Sequence, residues 1–403
     1  MAQFLFKTDP AFRHDLYWSC FLVSFALSFF AAIASPLFFG FSVPIIGAVF
    51  LFLYRPFMGS WPKIESKTSL ILPVLLLLLV SLLFASTLWS VDPGLSLDLA
   101  GKLALLFAGG LSLLIVAKNC PHKTWKKYYL LFPFAVLLAG FFAAFEIFLE
   151  FPFYRHIHGL NSYEVGANVM NRQIAVCLLA LPVSIYLAWK SRSVLFSLFL
   201  VIAGISLFMI SPAPILQAAM LVTVILSVGC LFFVEKLTIR GFFLLAGFLF
   251  LMMPWIAPTA FDLFANQFAS LKLENWDFIS RRIIEQPLTG FGLDATRAMS
   301  YDSDYIYSSA AKINHPHNAA LQIWIEFGAI GSLFFLAFLS GFYLLLIRSP
   351  RAQRRLGFIA LASAITLLLA SWQIWSSWLI GFFFALAALI ILAVKPNIDP
   401  VNS

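Results

Sequence analysis

Charge is what this sequence has least of. Asp, Glu, Lys and Arg make up 11% of its 403 positions, while 62% are hydrophobic. A soluble domain carries roughly 25% charged residues, so a water-covered surface is excluded for most of the chain. Its main solvent is lipid. Cysteine is also rare. Of the four, Cys20, Cys177 and Cys230 fall within apolar runs and Cys120 falls in a loop. No two share an outside loop, so neither a disulfide nor a zinc site is expected. A cleavable leader is not expected either, because the apolar stretch from Trp18 to Ser35 is followed at once by a second one. Internal repeats, low-complexity tracts and a second soluble domain are absent.

Apolar runs of about 17–25 residues, the length that crosses a bilayer as helix, recur from end to end. About twelve are counted by that length rule, centred near Phe25, Ile45, Leu77, Phe107, Leu138, Leu181, Ile202, Val222, Phe248, Phe335, Ala362 and Phe384. A transmembrane β-barrel would show weaker, alternating segments, so the expectation is an all-α integral membrane protein. The net charge of +8 would suit nucleic acid, but its placement argues against that partner. Basic residues cluster in every second connection, as at Lys123/Lys126/Lys127 and Arg351/Arg354/Arg355, while acids such as Asp92, Glu164, Glu274 and Asp302 fill the others. That alternation is the positive-inside pattern. It places both termini in the cytoplasm and the acidic connections outside.

Two outside loops are long, 151–167 and 258–316, and the whole of 1–403 reads as one membrane domain with an external cap. Within the larger loop, Leu273 to Glu285 has Trp276, Ile279 and Ile283 at helical spacing. A short amphipathic helix is expected there, ended by Pro287 and Gly290-Phe291-Gly292. Asp302 to Ser309 reads as a mobile flap. Trp89-Ser90-Val91-Asp92-Pro93 reads as an interfacial aromatic followed by a helix stop.

His317 is the sharpest candidate for chemistry, because polar groups are few near the apolar runs and an imidazole where a polar loop meets a membrane helix is a site candidate. If the helix begins at Pro316 or His317, Gly328 lies eleven residues and about three turns on, roughly 16 Å deeper on the same face, with Gly331 about one turn further. Glycines there would let another helix approach closely. A neutral His317 can take a proton from an acceptor hydroxyl. The competing reading is a plain helix start, with Asn314 as cap and Pro316 in the first turn. His315 and His317 also suit a metal, but no acid or cysteine stands near them in sequence. Glu326 fits a structural hydrogen-bond partner as well as a proton carrier. Among outside cations, Arg172 opens a span, where it must bind an anion, snorkel, or pair with an acid such as Glu146. Lys272, Arg281, Arg282 and Arg297 lie in the large loop.

Together these residues resemble the O-antigen ligase and polymerase family of bacterial membrane glycosyltransferases. The family signature is His, then Asn, Ser or Gln, nine residues, Gly, two residues, then Gly, Thr or Tyr. His317, Asn318, Gly328 and Gly331 fit each element. Trp276 through Pro287-Leu288-Thr289-Gly290-Phe291-Gly292 resembles the run that precedes the His helix, and Leu88 to Pro93 resembles the early loop. The resemblance implies a GT-C-like fold in the bacterial inner membrane, with a periplasmic site. It implies transfer of a glycan from undecaprenyl pyrophosphate to an acceptor hydroxyl such as a lipid A core sugar, without metal or other cofactor. By that analogy His317 activates the acceptor, supported by Asn318, His315, Gly328, Gly331 and Glu326. Arg172, Lys272, Arg281 and Arg282 hold the pyrophosphate. The chain departs from the family at Pro212 and Lys272, two usual arginine positions. A polymerase of the same family, or a lipid-linked-sugar transporter, are the rival readings. A transporter should show inverted repeats and midplane charges, whereas the notable charges here cluster at one face.

Overall fold

The computed structural model describes residues 9–63, 70–159, 170–211, 213–232, 235–264, 271–299 and 315–395. The expected flap at Asp302–Ser309, the Asn314 cap, Pro212 and much of the 151–167 loop lie outside them. Fifteen α-helices are described. They are α1 Pro10–Ala34, α2 Phe39–Met58, α3 Ile71–Ala85, α4 Pro93–Asn119, α5 His122–Tyr128, α6 Leu131–Phe148, α7 Pro152–His158 and α8 Asn171–Lys190. There follow α9 Val194–Ile210, α10 Pro214–Phe232, α11 Glu235–Phe264, α12 Leu271–Glu285, α13 Ala319–Arg348, α14 Arg351–Ala370 and α15 Ser377–Ala393.

Among the described residues nine helices are long and apolar enough to cross a membrane, and three shorter apolar ones run over Val194–Ile210, Leu216–Gly229 and Ser377–Ala393. Every span centre read from the sequence falls in one of these twelve. The protein is an all-helical, multi-pass membrane protein. Large apolar side chains such as Phe41, Ile45, Phe52, Leu77 and Leu105 stay exposed on the bundle surface, where lipid replaces water as the favourable surrounding.

The main core is aromatic. Trp18, Phe21 and Phe25 of α1, Phe39 of α2, Phe132 of α6 and Phe382 of α15 are fully buried. Most of their rings meet edge-on or tilted, as in Phe25–Phe132 at 5.1 Å and Phe39–Phe382 at 5.2 Å, while Phe21 and Phe25 stack at 6.0 Å, all geometries that the ring quadrupole allows. A second, smaller core joins Ala257 of α11, Phe278, Ile279 and Ile283 of α12, Phe291, and Leu321, Trp324 and Ile325 of α13. This core seats α12 against the start of α13. The helix α11 runs through Pro254 and Pro258 to Phe264, past the loop start read at 258. A proline inside a membrane helix is tolerated because neighbouring groups re-satisfy the freed carbonyl.

One element differs in kind from its sequence reading. The stretch Ala319–Arg348 is two helices, broken at Gly328, whose φ of 57° and ψ of −149° are not helical. Every residue from Ala319 to Gly328 is buried, whereas beyond the break buried and lipid-exposed positions alternate. At the end of the bundle away from His317, Glu235 gathers Arg351, Arg354 and Arg355 at 3.4, 2.5 and 2.8 Å.

Candidate active site

The break at Gly328 is filled by the segment 287–292. In an uninterrupted helix, Ala329 and Ile330 would donate to the carbonyls of Ile325 and Glu326. Here those carbonyls accept instead from Phe291 N–H at 2.8 Å and Gly292 N–H at 2.8 Å. The freed Ala329 and Ile330 N–H groups donate to the Pro287 and Leu288 carbonyls at 2.8 and 3.2 Å. Four backbone groups lose helix partners and all four are re-paired, as burial demands. Glycine is required on both sides. A Cβ on Gly328 would lie 2.5 Å from Leu288 C, and one on Gly290 would lie 2.6 Å from Glu326 C. This corrects the straight-helix reading. Gly328 admits a loop rather than another helix, and the room at Gly331 is taken by Phe327 from before the break.

The loop is held from behind by the α3–α4 connection. Trp89 Nε1–H donates to the Thr289 carbonyl at 2.9 Å, Val91 N–H to the Phe291 carbonyl at 3.0 Å, and Ser96 Oγ to the Leu293 carbonyl at 2.6 Å. Trp89 is therefore a bracing group, not only an interfacial aromatic. Asp92 caps α4 through the Leu95 N–H, so Asp92-Pro93, read from the sequence as part of a helix stop, also opens the next helix.

His317 lies just before α13, not on it. Asn318 is the N-cap, its Oδ1 accepting from Ala320 and Leu321 N–H at 2.9 and 3.1 Å. His317 itself has a φ of 54°, and Asp294 across the site has 61°. Left-handed backbone at a non-glycine residue carries some strain, which Glu150, Phe151 and Arg192 share away from the site. Helix α12 clamps the strained turn: Asn275 Nδ2 donates to the His315 carbonyl at 3.2 Å and Trp276 Nε1 to the Pro316 carbonyl at 2.8 Å.

The His317 ring is half-buried, and its Nδ1 lies 2.6 Å from the Ser371 carbonyl oxygen. A carbonyl can only accept, so Nδ1 carries the hydrogen and Nε2 of the neutral ring holds the lone pair. Burial holds the His317 pKa below the ordinary imidazole value, the Ser371 bond works against that, and the Lys272 charge lowers it further. The His315 ring sits 4.1 Å away, centroid to centroid. Burial, His317 and Arg297 together bring His315 down to about 4. Both rings are thus neutral near pH 7, and His317 is able to accept a proton.

The cations divide. Lys272 on α12 acts on His317, and burial lowers its own pKa. Arg172 lies over the Trp378 ring, 6.0 Å from its centroid, and Trp378 flanks the 371–376 connection that also supplies the Ser371 carbonyl. The Glu146 carboxylate accepts from Phe153 and Tyr154 N–H, both at 3.0 Å, so it caps α7. Arg281 pairs with Asp277 at 2.8 Å, Arg282 with Glu285 at 3.0 Å, and Arg297 with Asp294 at 3.0 Å. Among the described residues no group of three or more His, Cys, Asp or Glu side chains is gathered as a metal would need.

Sequence reasoning missed Asn275, Ser371, Gln373 and Trp375. Glu326, Gln322 and Asp294 are buried; the first two tie the 371–376 connection to α13 and Asp294 ties it to the loop that follows Gly292. Glu326 Oε2 accepts from Trp375 Nε1 at 2.6 Å, Gln322 Oε1 from Ile374 N–H at 3.1 Å, and Asp294 Oδ1 from Gln373 Nε2 at 3.2 Å. Burial, eased by Arg297 and Gln373, raises Asp294 to about 6. Carbonyl acceptors and lone amides carry no spacing signal, so only Glu326 had been singled out.

Residues 171–336, from the start of α8 into α13, match the O-antigen ligase family. A Rickettsia conorii protein provisionally named a polysaccharide ligase is 31% identical over 137 residues, covering 32% of this chain and 33% of that protein. A Rickettsia felis protein of the same name is 28% identical over 137 residues, with 32% and 33% covered. The chain thus matches about a third of the length of these curated relatives.

Proposed function

We propose, from the match of residues 171–336 to the O-antigen ligase family, a ligase-type glycosyltransferase that moves a glycan from undecaprenyl pyrophosphate to an acceptor hydroxyl, in the simplest case on a lipid A core sugar. The observation that carries this reading is the His317 ring. Its Nδ1 is committed to the Ser371 carbonyl at 2.6 Å, which leaves Nε2 as the base beside the Lys272 charge.

The acceptor oxygen attacks the anomeric carbon as its proton passes to His317 Nε2. The bond from that carbon to the pyrophosphate oxygen breaks, and its electron pair leaves with the carrier. The negative charge gained by the leaving pyrophosphate is met by fixed cations. Lys272 and Arg172 are best placed for that, and Arg281 and Arg282 would first have to leave their carboxylates. The reaction is metal-independent in this reading, so chelation should leave the rate unchanged, and loss of activity on chelation would remove that part.

The site faces the periplasm and both termini the cytoplasm. The alternation of basic and acidic connections supports this, with the Arg351/Arg354/Arg355 cluster at the end of the bundle away from His317. Gel analysis of lipopolysaccharide in a deletion strain tests the reading. Bare core with accumulated carrier-linked polymer is the expected result. Core bearing a single repeat unit would make the protein a polymerase of the same family, and an unchanged pattern would overturn both.

A further inference from the structure

Two polar groups buried in the first half of α13, Gln322 and Glu326, act on one short segment. Gln322 and Glu326 are fully buried one turn apart. Gln322 Nε2 donates to Glu326 Oε1 at 3.0 Å, while Gln322 Oε1 accepts the Ile374 N–H. Glu326 Oε2 takes the Trp375 indole N–H. Both carboxylate oxygens are therefore occupied by donors, which leaves Glu326 poorly placed to carry protons for a substrate. The segment they hold begins at Ser371, whose carbonyl is the acceptor for His317 Nδ1. The half-helix that follows His317 in the chain thus also fixes, through space, the group that orients the His317 ring.

We propose that Glu326, together with Gln322, is a positioning residue for His317, holding the 371–376 connection so that the Ser371 carbonyl keeps the hydrogen on Nδ1 and the lone pair on Nε2. The proposal rests on the reading of His317 as the base. Loosening the connection would let the ring sample the other tautomer, in which the nitrogen facing the substrate is protonated and inert as a base. The other groups facing His317 are His315 and Lys272, with Arg297 acting on His315, and the variants below leave them in place.

The test uses purified full-length protein labelled with ¹⁵N-histidine, in which the His317 signal is the one missing from His317→Gln. The wild type should show a single Nδ1–H tautomer. Glu326→Gln offers one acceptor oxygen where two donors need one each, so a tautomer mixture is expected. Transfer from membrane-extracted, polyprenyl-pyrophosphate-linked glycan to lipid A core should fall about tenfold to a hundredfold, as when a group orienting a functional histidine is lost. The acid limb of the pH profile should also move to lower pH, because the carbonyl contact that favours the protonated ring is weakened. If Glu326→Gln fails to fold, Trp375→Phe removes a donor while keeping a ring in place, and the same mixture is expected. A folded variant with an unchanged tautomer and an unmoved acid limb overturns the proposal. Full transfer by His317→Ala would instead overturn the base reading, a result separate from the tautomer measurement.

Discussion

Gly290 and Gly328 lie against each other's segments across the broken helix, with φ of 64° and 57°. Neither has room for a methyl group against the facing backbone. Gly290→Ala and Gly328→Ala should each cost about 1–3 kcal/mol for the backbone conformation and about 1–3 kcal/mol more for the forced separation. Gly159 is the control, since its φ of 64° is similar but, among the described residues, nothing lies within 4 Å of its Cβ position. Thermal unfolding in detergent should rank Gly159→Ala well above the other two.

His317→Ala should lower transfer by about 10²–10⁴-fold, the range for loss of a general base, with membrane insertion and melting temperature retained. The N-cap beside it behaves differently. Asn318→Ala should cost about 1 kcal/mol of stability, read as a lower melting temperature, together with a smaller loss of transfer.

Acid stability should carry two opposed slopes, one from His315 and one from Asp294. His315 is held at about 4 in the fold against 6.5 ordinarily. Between those values only the unfolded chain takes up the proton, so stability is lost as pH falls. Asp294 is raised to about 6 from 3.8. There the folded chain holds the extra proton, so stability is gained as pH falls and lost as pH rises through 6. His315→Asn should therefore flatten the acid loss and Asp294→Asn should steepen it, in melting curves taken from pH 7 to pH 4.

Arg172→Ala should raise the donor KM more than Arg281→Ala does. Arg281 is already paired with the Asp277 carboxylate at 2.8 Å, whereas Arg172 lies over the Trp378 ring face, a contact that leaves the guanidinium fork able to take an anion. Steady-state kinetics at fixed acceptor would check this, and equal KM values would remove Arg172 from the donor site.

The span centres were legible because run length alone reports bilayer crossing. The helix α12 was legible because Trp276, Ile279 and Ile283 keep a helical period into one core. The break at Gly328 was not. Apolar residues continue on both sides of it, and a glycine inside such a run is ordinary. What breaks the helix is a backbone exchange with residues far back in the chain, and backbone carbonyls have no sequence signature. For the same reason Ser371 could not be found, although it decides which nitrogen of His317 is free. Asn275 and Trp375 act through single N–H groups reaching across segments, and their chain separation hid them.

The break also separates anchoring from chemistry. Ala329–Arg348 alone, at about 1.5 Å per residue, runs about 30 Å, the full thickness of the hydrocarbon core. The nine residues ahead of Gly328 are not needed to cross it. Enclosed by protein on every side, they are free to ride at the rim of the bilayer with Gln322 and Glu326 turned away from lipid. A hydropathy count that merges both halves into one span places its outer end on the wrong piece of chain. Membrane thickness then acts on the anchor while the reacting groups keep their depth, so bilayers of different thickness should leave the site geometry unchanged.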